Sequence, residues 1–146
     1  MKLSTKGRYG LRAMIDLAAN FTGEYIPLYK IAERQGISER YLEQVFSALK
    51  KAGLVKSIKG AQGGYALSGE TKDITVKDIL STLEGDISII DNLEFSQNDT
   101  LKECIKINVW DKMDEAIENV VNNITLEDLV RKYDKVNRRN EIMYYI

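Results

Sequence analysis

Leu28-Tyr29-Lys30-Ile31-Ala32-Glu33-Arg34-Gln35-Gly36-Ile37-Ser38-Glu39-Arg40-Tyr41-Leu42-Glu43-Gln44-Val45-Phe46-Ser47-Ala48-Leu49 is the stretch that decides the fold of this chain. Its first eight residues mix apolar and polar types at helical spacing and stop at Gly36, the residue type that accepts the left-handed backbone where helices end. Ser38 then offers a side-chain oxygen to the free amides of a second helix, which carries Tyr41, Leu42, Val45, Phe46 and Leu49 on one face. Counted from Leu28, small Ala32 is fifth, where the second helix must cross, Gly36 is ninth, at the turn, and Leu42 is fifteenth, where it plugs the core between the helices. Two helices joined this tightly through a glycine form a helix-turn-helix.

Upstream, Leu11, Met14, Ile15, Leu17, Ala18 and Phe21 predict a helix from Thr5 to about Asn20, closed off by Gly23 and a short extended Ile26-Pro27. Downstream, Ala52-Gly53 ends the second helix of the motif. Leu54 to Lys59 and Tyr65 to Ser68 read as strands around the glycine-rich turn Gly60-Ala61-Gln62-Gly63-Gly64. A hairpin directly after a helix-turn-helix is a wing. Such a unit places its second helix in the DNA major groove with the first turns at the base edges. The exposed candidates there are Ser38, Glu39, Arg40, Glu43 and Gln44, with Tyr41 beside them. Arg40 can fork onto a guanine, Gln44 onto an adenine, and Glu43 can accept from a cytosine amino group; the competing reading of each is a solvated helix surface. Lys56 and Lys59 on the wing would meet phosphates or the adjacent minor groove, with Gly63 and Gly64 allowing close approach at the tip.

Charge agrees with this placement. The 146 residues carry 21 Lys and Arg against 22 Asp and Glu. Residues 1–66 hold eleven basic and five acidic residues, and residues 67–146 hold ten basic and seventeen acidic ones. A basic half joined to an acidic half suggests a polyanion-binding domain followed by a non-binding one. The chain has no histidine, which excludes His-based triads and His-ligated metals, and its one cysteine, Cys104, excludes an internal disulfide and a four-Cys zinc site. No constellation supports an enzyme. The absence of a long apolar run near Met1 or elsewhere leads us to expect a cytoplasmic protein with no membrane partner.

The acidic half opens with Thr75-Val76-Lys77-Asp78, a capping box in its Asp form, which starts a short helix through Ile79, Leu80 and Leu83 to Gly85. After a polar loop, Glu94 to Thr100, comes the longest helical pattern. Trp110, Met113, Ile117, Val120 and Ile124 recur at intervals of 3, 4, 3 and 4, widened by Leu101, Ile105, Val109 and Val121. This is a seam suited to pairing two copies of the helix, although packing within the chain's own domain is the competing reading. Thr125-Leu126-Glu127-Asp128 opens a capped helix to about Tyr133, followed by a polar stretch, Arg131 to Asn140, and the apolar Glu141-Ile142-Met143-Tyr144-Tyr145-Ile146. Such a tail either folds back or docks elsewhere. The expected organisation is therefore mainly α with a small β-hairpin wing: a winged helix-turn-helix over residues 1–72, a connecting helix and loop over 73–99, a dimerisation helix over 100–124, and a C-terminal helix and tail over 125–146.

Thr5-Lys6-Gly7-Arg8-Tyr9-Gly10, Ile31-Ala32-Glu33, Tyr41-Leu42-Glu43-Gln44 and Gly60-Ala61-Gln62-Gly63-Gly64-Tyr65 resemble, in order and spacing, the IscR/CymR (Rrf-two) family of bacterial winged-helix regulators. The resemblance implies a homodimeric DNA-binding transcription factor, usually a repressor, on a pseudo-palindromic operator. It further implies base contacts from Glu43 and Lys59, with Lys6, Arg8 and Tyr9 near the phosphate backbone. Family members that carry an iron–sulfur cluster have three cysteines, of which this chain matches only Cys104; Asn92, Asn98 and Ile107 stand at the other cysteine positions and at the histidine position. Asn is a poor ligand for thiolate-preferring iron, so no cofactor is expected. Cys104 remains either a redox-responsive thiol or an inert small residue. The tail, Tyr144, Tyr145 and Ile146, is similar to that of the cysteine-metabolism repressors of the family, whose partner is cysteine synthase; a C-terminal carboxylate can occupy that enzyme's substrate-carboxylate site. The rival expectations are a redox or iron–sulfur regulator of the same family, and a protein-interaction module that no longer binds DNA.

Overall fold

In the computed structural model, which describes residues 2–90 and 99–145, three helices form the first layer: α1 (Thr5–Ala19), α2 (Leu28–Gln35) and α3 (Glu39–Lys51). Gly36 takes the left-handed conformation between α2 and α3, at φ 65°, and the Ser38 hydroxyl accepts from the Tyr41 amide at 3.1 Å to start α3. Strands β1 (Val55–Ile58) and β2 (Gly64–Leu67) pair antiparallel, with Val55 opposite Leu67 and Ile58 opposite Gly64. A two-residue bridge between Ile26 and Tyr65 ties the hairpin back to the α1–α2 connection.

Two apolar clusters hold the chain together. The larger joins Met14 and Leu17 of α1, Ile31 of α2, and Leu42, Val45, Phe46 and Leu49 of α3, each with no exposed surface, to Val55, Ile79 and Leu126. Losing a side chain such as Phe46 from this core would cost about 3–5 kcal/mol. The smaller cluster gathers Val76, Leu80 and Val121, with Leu3, Leu11, Ile117 and Ile124 packed around them. Helix α4 (Val76–Glu84) contributes to both clusters and thereby joins the basic half to the acidic half.

One charge is buried in the first layer. Asp16, only 3% exposed, accepts from Arg34 Nε at 3.0 Å and Nη2 at 2.7 Å, and from Gln35 Nε2 at 2.8 Å. Its hydrogen bond raises the Arg34 guanidinium further above its already high range, against a partial desolvation that acts the other way. A carboxylate with three donors escapes the large penalty of an unpaired buried charge, and the pair locks the end of α2 to the last turn of α1.

The long pattern after residue 99 forms as expected but is not uniform. Helix α5 (Thr100–Ile105), capped by Asp99, runs through a wider turn of π geometry at Lys106–Trp110 into α6 (Asp111–Asn123). The extra residue in that turn shifts the apolar stripe around the axis. Ile117 and Ile124 accordingly pack within the chain, beside Val121, while Leu101, Ile107, Val109, Met113 and Val120 stay exposed.

The C-terminus differs from the sequence expectation. Instead of a helix to Tyr133, a polar linker and a separate tail, residues Leu126–Tyr145 form one helix, α7. Arg131 to Asn140 contains no Gly or Pro and is rich in Lys and Arg, which favour helix; polarity there marks a solvated helix surface. Arg131 pairs with Asp128 at 2.7 Å along the same surface. Residues 131–144 are exposed throughout, so the apolar tail is not buried against the domain.

Helices α4 and α7 start side by side. The Val76 amide donates to the Ile124 carbonyl at 2.9 Å and the Leu126 amide to the Ile74 carbonyl at 2.8 Å. Each start carries the same device: Thr75 with Asp78, and Thr125 with Asp128, exchange reciprocal side-chain-to-amide bonds of 2.9–3.1 Å. The Thr125 amide and hydroxyl hold the Asp128 carboxyl below its usual range, with Arg131 and Lys132 adding to the effect. A folded-state pKa below the unfolded one stabilises the fold above the unfolded value, and that gain disappears as pH falls through the folded value. Asp128→Asn should therefore be less stable than the unmodified chain in denaturant unfolding near pH 7, with the gap closing below about pH 4. A gap that does not change with pH would contradict this assignment.

Candidate nucleic-acid interface

The roll of α3 sets its outer surface. With Leu42, Val45, Phe46 and Leu49 inward, helical geometry turns Glu39, Arg40, Glu43, Gln44 and Ser47 outward, and all five are exposed, as is Ser38 at the cap. These are the positions expected at base edges. Tyr41 sits at the boundary, half-buried, its ring edge-on to Tyr9 of α1 with centroids 6.0 Å apart. Arg12 lies over the Tyr9 ring at 5.4 Å and donates to the Gln35 carbonyl at 2.7 Å. The start of α3, the start of α1 and the end of α2 are thus fixed to one another.

The wing is coupled to the same helix. Phe46 meets Tyr65 of β2 with ring centroids 4.9 Å apart, and the Lys50 ammonium donates to the Ser57 hydroxyl at 2.6 Å. Burial raises the Tyr65 phenol above its usual range, and the nearby Glu43 carboxylate raises it further. Glu43 therefore stands where α3 and the wing converge. Lys59 is exposed at the tip, and Lys56 extends its ammonium to within 6.0 Å of the Tyr25 ring centroid.

Gly63 and Gly64 have a packing reason independent of any ligand. A Cβ on Gly63 would stand 2.2 Å from the Ile58 carbonyl oxygen, and one on Gly64 would stand 2.3 Å from that of Ile26. Only glycine permits the turn and the Ile26–Tyr65 bridge. Sequence reading overlooked Ile58, which is 52% exposed beside Lys59. Strand alternation already places it on the outer surface with Lys56, where it adds exposed apolar surface next to the tip.

At the start of α1, Arg8 is exposed and Lys6 half-buried. Arg8 reaches Thr5 Oγ1 at 3.4 Å, a long contact that leaves most of its donors available. Several basic residues of this half are occupied by structural partners: Arg34 by Asp16, Arg12 by the Gln35 carbonyl and Lys50 by the Ser57 hydroxyl. The signal for the first was a carboxylate lying between Ala13, Met14 and Leu17 in an otherwise apolar stripe.

The other predicted residues lie on separate elements. Leu101, Met113 and Val120 are exposed along α5 and α6, Ile105 and Trp110 are half-buried, and Ile117 and Ile124 face α4. Cys104 is exposed on α5, where the Asn108 amide donates to its carbonyl at 2.8 Å and lies 3.6 Å from its sulfur. Tyr144 is 86% exposed near the end of α7. Asn92, Asn98, Ile146 and the Tyr145 side chain lie outside the described residues. Among the described residues no helix is long and apolar enough to cross a membrane.

Residues 3–132 match the family described as "Rrf2: Iron-dependent Transcriptional regulator". The HTH-type transcriptional regulator CymR of Bacillus subtilis (strain 168) is 44% identical over 146 residues, spanning the whole of both chains. The solved structure of CymR (YrzC), the global cysteine regulator of B. subtilis, superposes with a TM-score of 0.78 at 42% identity, covering 90% of this chain and 98% of that one. IscR of T. potens superposes at 0.76 with 44% identity, covering 93% and 90%. The winged helix-turn-helix, the outward polar surface of α3 and these relatives lead to one conclusion: the chain belongs to the Rrf2 family and is a DNA-binding transcriptional regulator, not an enzyme.

Proposed function

We propose that this regulator is a cytoplasmic homodimeric repressor of genes for cysteine and sulfur supply, acting with cysteine synthase through its C-terminus. The observation that carries this reading is the 44% identity to CymR along the entire length of both chains, C-terminal segment included. The related CymR of B. subtilis is the global cysteine regulator of that organism. The exposed end of α7 supports the partner role, because Ile142, Met143 and Tyr144 are all largely exposed there.

Dimerisation is read from α5 and α6. Val109, Met113 and Val120, 41–58% exposed, follow one another at four and seven residues on one side of the helix, a spacing that suits a two-fold helix pair. Two copies would then present two α3 helices to half-sites about one helical turn apart, or a multiple of it.

Iron–sulfur chemistry fits this chain poorly. The only thiol is Cys104, there is no histidine, and among the described residues no group of three or more His, Cys, Asp or Glu is placed to hold a metal. The reading therefore assigns no cofactor, and Cys104, exposed on α5, no ligand role.

DNA contacts divide by chemistry. Ser38, Arg40, Tyr41, Glu43, Gln44 and Lys59 are assigned to bases or to the groove at the reading helix. Lys6, Arg8, Tyr9, Lys56 and the backbone at Gly63 and Gly64 are assigned to the sugar-phosphate strand.

Three outcomes follow from these assignments. In competition binding against a randomised duplex pool, Glu43→Ala should relax base preference more than it weakens binding, whereas Lys6→Ala and Arg8→Ala should weaken all sequences alike and make the salt slope shallower by about one each. Indistinguishable behaviour of the three variants would contradict the division. Met113→Asp should convert the dimer to monomer in sedimentation, and an unchanged dimer would remove this helix pair. Deleting Tyr145 and Ile146 should abolish capture of purified cysteine synthase, and unchanged capture would remove the partner model while leaving the DNA reading intact.

A further inference from the structure

The first turn of α1 is held by a side chain far along the sequence. Oε1 of Glu84, the last residue of α4, accepts from the Ser4 amide at 2.9 Å, the Ser4 hydroxyl at 2.6 Å and the Gly7 amide at 3.0 Å. Gly7 is buried, and a Cβ built on it would stand 2.1 Å from that same oxygen. One residue before Ser4, Leu3 packs on Val76, Leu80 and Val121. The arm carrying Lys2, Lys6 and Arg8 is therefore fastened to α4 by one apolar and one polar contact.

The polar contact is unexpected at this place. It sets a negative charge beside residues assigned to phosphates, and it occupies amides that a helix N-terminus otherwise presents to an anion. Repulsion from a phosphate strand, taken alone, would favour a neutral residue at position 84.

We propose that Glu84 is a positioning residue for DNA binding: its carboxylate fixes the first turn of α1 so that Lys6 and Arg8 meet the phosphate strand, and Gly7 is the position that makes room for it. This rests on the assignment of Lys6 and Arg8 given above. The anchor also relates the two halves of the molecule. Helix α4 carries Glu84 at one end, and near its other end Lys77 pairs with Glu118 of α6, so the helix assigned to dimerisation and the phosphate-facing turn share one rigid support.

The test uses the full-length chain and a duplex of fixed mixed sequence about three helical turns long, titrated at several salt concentrations. Removing a charge beside a polyanion should by itself tighten binding, whereas loss of the anchor should loosen it, so the two effects have opposite signs. Glu84→Ala is expected to weaken binding about tenfold and to make the salt slope shallower by about one to two. Glu84→Gln keeps an accepting oxygen and loses the charge, and is expected to bind at least as tightly as the unmodified chain. Gly7→Ala, which displaces the carboxylate without removing it, should weaken binding like Glu84→Ala even though Ala favours helix more than Gly.

Binding by Glu84→Ala as tight as that of the unmodified chain, or Glu84→Gln as weak as Glu84→Ala, would overturn the proposal. Should Glu84→Ala fail to fold by circular dichroism, the comparison of Gly7→Ala with Glu84→Gln decides by the same signs. Lys6→Ala and Arg8→Ala in the same titrations separate the two failures. If they have no effect, the phosphate assignment falls and the Glu84 inference with it; if they weaken binding while Glu84→Ala and Gly7→Ala do not, only the inference falls.

Discussion

How α3 is rolled about its own axis is the constraint on which the interface depends. Four residues, Leu42, Val45, Phe46 and Leu49, have no exposed surface and lie against α1, α2 and the base of the wing. Successive residues on a helix are about 100° apart, so displacing this stripe by one position would bury Glu43 or Gln44 and expose a core side chain. The cost of either change greatly exceeds anything a surface contact returns. The hydrophobic core therefore selects, from the residues of one helix, which ones a duplex can meet.

Everything packed around α3 preserves that orientation. Gly36 and Ser38 set where the helix begins, the Tyr9–Tyr41 contact fixes its start against α1, and Phe46 and Lys50 fix its later turns to the wing. The Asp16–Arg34–Gln35 cluster does the same for α2 from behind. These polar contacts are individually modest, but each removes a degree of freedom between elements that must meet one DNA surface together.

Local chemistry was the part legible in the sequence. The helix-turn-helix, the wing, the cap at Ser38 and the box at Thr75 involve residues within a few positions of one another, and each formed as read. Polar partners distant in sequence were not legible. Glu84 and Ser4 are 80 positions apart and Asp16 and Arg34 are 18 apart, and no periodicity connects them. The expected linker before the end of α7 does not form, because a polar run without Gly or Pro also suits the exposed surface of a helix. The split of the apolar stripe between α4 and solvent depends on the wider turn at Lys106–Trp110, which a regular period cannot show.

A crystal structure of the regulator on a duplex it selects is the most direct test of this account. The account places the first two turns of α3 in the major groove, with the Glu43 carboxylate within hydrogen-bond distance of a cytosine amino group and the wing tip against the neighbouring sugar-phosphate strand. A complex in which the outer surface of α3 faces solvent and the duplex lies along α7 would contradict it.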